Sequence, residues 1–156
     1  MSKKVAHFSL LVAAAIALFG AGIHWIAPAL GPDWYAFLHA PDAAVASARN
    51  GTAFGPLGAI VIGALMFACM LFAFSGRGDI AYLPFTRAAL AVISFICLVR
   101  GLIIIPYIII LPTVSPFALF ASVIWFVAGV GFVVGLVGTW SDLSQKASRA
   151  HSVGGS

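Results

Sequence analysis

The residues of this chain that can hold an ion or move a proton are few and widely spaced. The candidates for a site are one arginine deep in an apolar run, a histidine, a tryptophan, and three charged residues of one loop: Arg100, His24, Trp125, Asp33, Asp42 and Arg49. An arginine stays protonated in proteins, so Arg100 needs an anion, backbone carbonyls or water beside it. We therefore expect these six residues to contain the ligand- or partner-binding site, with Arg100 at its centre.

Arg100 lies near the middle of 87–111, an apolar run long enough to cross a bilayer. A charge at that depth costs about 3 kcal/mol on insertion scales, and more on an isolated helix. The chain has no glutamate, and its four aspartates fall in loops or at the ends of the apolar runs. Four ways to stabilise the charge stay open: snorkelling, backbone carbonyls near Pro106, an aspartate of the loop, or an anion outside the chain.

Catalytic and metal chemistry find little support in the spacing of the polar residues. His24 with Asp33 or Asp42 would supply acid–base chemistry to a substrate that Arg100 holds. The fourteen residues between His24 and His39 do not match a helical pair of metal ligands. The cysteines and methionines of the apolar runs are typical core fillers without a CxxC pair. We expect no metal and no cofactor, and we assign no catalytic residue.

The composition places these residues in a membrane protein. Of the 156 residues, 63% are hydrophobic and 8% charged, with a mean hydropathy of +1.14. A soluble domain has about 25% charged residues, so this chain cannot cover itself with a water-facing surface. The net charge of +4 lies beside the apolar runs, where it orients a membrane protein. We expect the lipid bilayer as the main partner, and no nucleic acid.

Four apolar runs are long enough to span a bilayer, at about 5–27, 57–74, 88–111 and 115–140. The sequence therefore predicts an all-α fold, an integral membrane four-helix bundle in a single domain, residues 1–140. We expect the first run to be retained as a helix rather than removed as a signal peptide. A flexible tail, 141–156, follows the last run.

The loop 28–56 carries an imperfect repeat, with Pro32–Asp33 and Pro41–Asp42 at corresponding places. Proline suits the first position of a helix, and an acidic residue suits its first turn. The loop is therefore expected to form two short helices at the outer membrane surface, anchored by aromatic residues.

Charge placement predicts the orientation. Six basic residues lie on one side of the predicted spans, and one, Arg49, lies on the other; the six are Lys3, Lys4, Arg77, Arg87, Lys146 and Arg149. By the positive-inside rule both termini are cytoplasmic and the loop 28–56 faces outward. We expect the plasma (inner) membrane of a bacterium.

Close packing between the spans is expected to use small residues. The second span offers Gly55, Ala59 and Gly63, and the fourth offers Gly131 and Gly135.

Three functions remain open from the sequence. The first is a non-enzymatic accessory or binding protein whose buried Arg100, with Ser94, Cys97 and Gly101 nearby, contacts an anionic ligand or a partner subunit. The alternative is a membrane enzyme or carrier acting on an amphiphile, such as a lipid, quinone or isoprenoid, at the outer end of the bundle. The third is a purely structural subunit of a larger assembly.

Overall fold

The structure, a computed structural model, describes residues 2–110 and 114–153. These residues form seven α-helices and no strand: α1 Lys3–Leu30, α2 Pro32–Phe37, α3 Asp42–Arg49, α4 Phe54–Arg77, α5 Thr86–Leu102, α6 Ile104–Ile110 and α7 Pro116–Val153. Four segments are long and apolar enough to cross a membrane: Lys3–Leu30, Phe54–Arg77, Thr86–Ile110 and Pro116–Gln145. The predicted all-α class with four membrane-spanning segments is confirmed.

The third span is interrupted rather than continuous. α5 ends at Leu102, Ile103 lies outside both helices, and α6 begins at Ile104. Pro106 explains the break, because it has no N–H to donate to the carbonyl of Leu102 four residues earlier. The end predicted for this span, Leu111, lies outside the described residues.

The fourth span extends further than predicted. α7 starts at Pro116, the favoured first position, and the Ser115 hydroxyl caps it by accepting the N–H of Ala118 at 3.1 Å. The helix continues past the predicted end of the span, near Trp140, to Val153. No glycine or proline interrupts residues 141–153, and Gly154 is the first helix-breaking residue after them.

The chain divides into two compact units, and the division falls within α1 and α4. Unit 1 comprises Met1–Ile16 and Cys69–Ser156, and unit 2 comprises Ala17–Ala68. In unit 1, α5 packs along α7, and α1 contacts α7 where Gly131 leaves room for the Ser9 carbonyl. The small residues of the fourth span thus serve contacts within the chain.

Unit 2 contains the rest of α1, the two loop helices and the start of α4. Trp25 of α1 covers Gly63 of α4, and its indole N–H donates to the Ile60 carbonyl at 3.2 Å. Ser47 of α3 is buried, and its hydroxyl accepts the N–H of Gly55 at 2.8 Å. These contacts hold the loop helices against the first turn of α4.

Candidate functional site

Arg100 occupies the last turn of α5, and its side chain is exposed. The face of α5 that packs inward is formed by residues spaced three or four apart: Thr86, Leu90, Ser94, Cys97 and Gly101. Arg100 lies beside this face rather than on it. Arg100 is therefore exposed within this chain rather than buried as predicted, and its contact with an anionic ligand or a partner subunit stays a prediction.

Ser94, a polar residue of the inward face of α5, already has a hydrogen-bond partner. Ser94 is 4% exposed, and its hydroxyl donates to the Leu90 carbonyl at 2.6 Å. Gly101 is buried because the backbone of Phe126 lies against it; a Cβ there would come within 2.6 Å of the Phe126 nitrogen. These contacts place Ser94 and Gly101 in helix packing rather than at a ligand.

No partner among the described residues offsets the charge of Arg100. Among the side chains that the structure describes, none makes a hydrogen bond, an ion pair or a ring contact with it. Arg100 lies ten residues before Ile110 and thirteen after Arg87, which places it about 15 Å and about 20 Å along the span from them. The side chain is too short to bring its charge to either end.

The surroundings of Arg100 on the surface are apolar. Ile96 and Ile103 lie four residues before it and three after it, on the same side of the helix, and they are 54% and 41% exposed. We call Ile96, Arg100 and Ile103 the Arg100 stripe. It presents one cation within a row of branched aliphatic side chains.

Trp125 lies on α7 at the level of Arg100. Gly101 meets Phe126, so the residues that precede each of them occupy adjoining turns of the two helices. Trp125 is only partly buried, and no ring contact between it and Arg100 occurs among the described residues. Trp125 therefore lies at the same position along the helix axis as Arg100, but it makes no ring contact with the guanidinium.

The loop residues proposed for acid–base chemistry are not assembled into a site. His24 donates from Nδ1 to the Gly20 carbonyl of its own helix at 2.8 Å. Asp33, Asp42 and Arg49 are exposed on α2 and α3, and no ion pair forms among them in the described part of the chain. Asp33, Asp42 and Arg49 are therefore exposed separately rather than gathered around His24.

Two polar groups in unit 2 are buried without a partner among the described residues: the indole nitrogen of Trp34 and the hydroxyl of Tyr35. Tyr35 is 4% exposed and packs with Ala27 and Ala59. Burial raises the pKa of the Tyr35 hydroxyl, because the tyrosinate form would be poorly solvated there. The repeat pattern predicted aromatic anchors in this loop, but not that Tyr35 would be covered.

The described residues contain no group of three or more histidine, cysteine, aspartate or glutamate side chains arranged to hold a metal ion. Cys69 and Cys97 are both free thiols, and Cys97 is buried on the inward face of α5. This placement gives Cys97 a packing role.

Contacts between the ends of the spans were not predicted from the sequence. Lys3 pairs with Asp142 at 2.7 Å, and the Arg87 guanidinium lies 3.9 Å from the centroid of the Trp140 ring. The sequence does place a charge or a tryptophan near the ends of the spans concerned. It does not show which helices pair, and so it does not show that these residues meet.

The helices and the charge distribution define the class of this protein: a small α-helical, multi-pass membrane protein in which Arg100, near the middle of a candidate span, has no partner among the described side chains. No family model, curated protein or solved structure matches the chain. The residues around Arg100 are therefore the basis for a proposed function.

Proposed function

We propose that this chain is a non-enzymatic accessory protein of the membrane whose Arg100 stripe binds an acidic residue within a span of a different membrane protein. The observation that supports the proposal is the exposure of Arg100 at mid-span, with no partner among the described side chains. We further propose a plasma membrane location, with both termini cytoplasmic. The excess of basic residues beside one set of span ends supports that orientation.

The cost of leaving the arginine in lipid favours a partner. A guanidinium facing lipid at mid-span costs about 3 kcal/mol on insertion scales and about 10–17 kcal/mol on an isolated helix. An ion pair in a low-dielectric environment offsets part of this cost, provided that both charges are also hydrogen-bonded. A carboxylate is the natural partner, because it accepts two parallel N–H bonds from one guanidinium.

The partner must differ from this chain. No aspartate of this sequence lies within the central part of a span, and glutamate is absent, so a second copy has no carboxylate to present at the level of Arg100. The exposed isoleucines beside Arg100 form a helix face rather than the lining of a cavity. That shape favours an apposed helix over a small ligand enclosed in the bundle.

Arg100→Leu tests the proposal. The tagged wild-type chain, purified in mild detergent from membranes of its source, should carry a second membrane polypeptide visible by native mass spectrometry. The leucine variant should lose it by about tenfold or more, because breaking a desolvated charge pair costs about 2–5 kcal/mol. Arg100→Lys keeps the charge without the paired N–H geometry and should retain an intermediate amount.

Arg49→Leu is the matched control, since it removes the same charge from an exposed residue of α3. It should leave the second polypeptide in place. An equal amount of partner on Arg100→Leu and on wild type would refute the proposal. A different result would favour the enzyme or carrier function: wild type carries an anionic amphiphile in place of a polypeptide, and both Arg100→Leu and Arg49→Leu lose it.

A further inference from the structure

A second group of cations lies at the end of unit 1 where α4 ends and α5 begins. Arg77 is the last residue of α4, and Arg87 is the second residue of α5. Nε of Arg87, and Nε and Nη1 of Arg77, are buried without a hydrogen-bond partner among the described residues. Nε of Arg77 still forms an ion pair with Oδ2 of Asp79 at 2.8 Å, so the unused hydrogen-bonding capacity at this end of the unit lies with Nη1 of Arg77 and Nε of Arg87.

Hydroxyl contacts fix the relative placement of these two helix ends. Ser75 and Thr86 are both fully buried, with their hydroxyl oxygens 3.1 Å apart. Ser75 also accepts the N–H of Leu83 at 2.9 Å, and Thr86 donates to the carbonyl of Leu83 at 2.7 Å. Since Arg77 and Arg87 are two residues and one residue from this pair, the network holds their backbones at adjoining helix ends.

Arg87 is held from one side by an aromatic ring. Its guanidinium carbon lies 3.9 Å from the centroid of the Trp140 ring, and Trp140 is 47% exposed. Tryptophan is enriched at the level of lipid headgroups in membrane proteins. A guanidinium packed against a ring can still donate N–H bonds from its edge to a planar or tetrahedral anion.

The described acidic side chains at this end lie against cations other than Arg87. Asp142 is 2.7 Å from Lys3, and Asp79 is 2.8 Å from Nε of Arg77 without the alignment of a hydrogen bond. No acidic side chain pairs with Arg87 in the part of the chain that the structure describes. The first turn of α5 is also free of acidic residues that would compete with an anion for Arg87.

We propose that Arg77 and Arg87, with Trp140 behind Arg87, bind the phosphate group of an anionic phospholipid headgroup. Phosphate oxygens accept several charge-assisted hydrogen bonds at once, and arginine is the side chain best matched to them. The site belongs to the end of unit 1 that carries Lys3 and Asp142, whereas the Arg100 stripe lies at mid-span. It is therefore independent of the accessory function proposed above.

The test measures lipid retention by native mass spectrometry of the full chain in nanodiscs of phosphatidylcholine with a small fraction of phosphatidylglycerol. Wild type should retain phosphatidylglycerol selectively. Arg87→Gln should lower retention about fivefold, and the double variant Arg77→Gln, Arg87→Gln further, since each basic residue near a lipid surface contributes about 1 kcal/mol. Arg87→Lys should recover part of the loss.

Lys4→Gln is the matched control, because Lys4 is an exposed cation of the same end of unit 1 outside the proposed site. It should change retention less than twofold. An effect of Lys4→Gln as large as that of Arg87→Gln would overturn the proposal in favour of diffuse attraction. Inorganic phosphate alone is the second probe: arginine-dependent phosphate binding that phosphatidylglycerol does not displace would overturn the lipid assignment.

Discussion

Arg100 shows which properties of a candidate site residue can be predicted from the sequence and which cannot. Its position within an apolar run, and the lack of acidic residues in the spans, identified it from the sequence as the residue that needs a partner. Its direction could not be predicted, because a lipid-exposed helix is apolar on all sides and its hydrophobic pattern does not mark an inward face. The structure supplies that direction: Cys97 and Gly101 face inward, and Arg100 does not.

Ser47 makes the same point in the loop 28–56. It is one of several small residues in α3, yet its buried hydroxyl bonds to Thr52 Oγ1 at 2.7 Å as well as to the N–H of Gly55. Nothing in the local pattern distinguishes it from its neighbours, because its partners lie five and eight residues further along the chain. Proline and aspartate, by contrast, act within a single helical turn, and the helices they predicted are present as α2 and α3.

The contact between α5 and α7 decides which side of the third span faces outward. Its closest approach lies where Gly101 meets the Phe126 backbone and Gly129 meets Leu98. Small residues were predicted to serve packing between spans. The glycines named for this in α7, Gly131 and Gly135, do so against α1 rather than against α5. The sequence shows which residues permit two helices to approach closely. It does not show which two helices pack together.

Gly101→Ala should destabilise the protein relative to Gly58→Ala. A Cβ at Gly101 would lie 2.6 Å from the Phe126 nitrogen, whereas a Cβ at Gly58 would meet nothing within 4 Å. Both changes gain similar helix propensity, so their difference isolates the overpacking, which costs about 1–3 kcal/mol. Thermal unfolding in one detergent measures it as a lower midpoint for Gly101→Ala.

Gly58→Ala serves as the control and should unfold at or slightly above the wild-type temperature. Equal midpoints for the two alanine variants would contradict the described crossing of α5 and α7, and with it the outward direction of Arg100.

At the scale of the whole molecule, composition and span length predicted the class correctly, because the length of a bilayer-crossing helix is set by the bilayer. The interruption at Ile103 and the extension of α7 were missed. Pro106 carried a signal for the first, whereas the second depended on the absence of a helix breaker before Gly154. Orientation comes from charge counts alone and needs a direct test.

Single cysteines at Ala43 and Ala81 provide that test. Both residues are exposed, on α3 and between α4 and α5, whereas the native cysteines lie within spans. A membrane-impermeant maleimide applied to intact cells should label Ala43→Cys, and should label Ala81→Cys only after permeabilisation. The reverse pattern would invert the proposed topology.

The central claim, that the Arg100 stripe contacts a different membrane protein, is tested most directly by photocrosslinking within the membrane. A photoreactive residue at Ile103 lies on the stripe, and one at Phe95 lies roughly 140° around the same helix from Arg100, where it is 68% exposed. From position 103 we expect an adduct between this chain and a second, different polypeptide, and Arg100→Leu should abolish it. From position 95 we expect only lipid adducts. Lipid adducts alone from position 103, or a crosslinked dimer of this chain, would contradict the central claim.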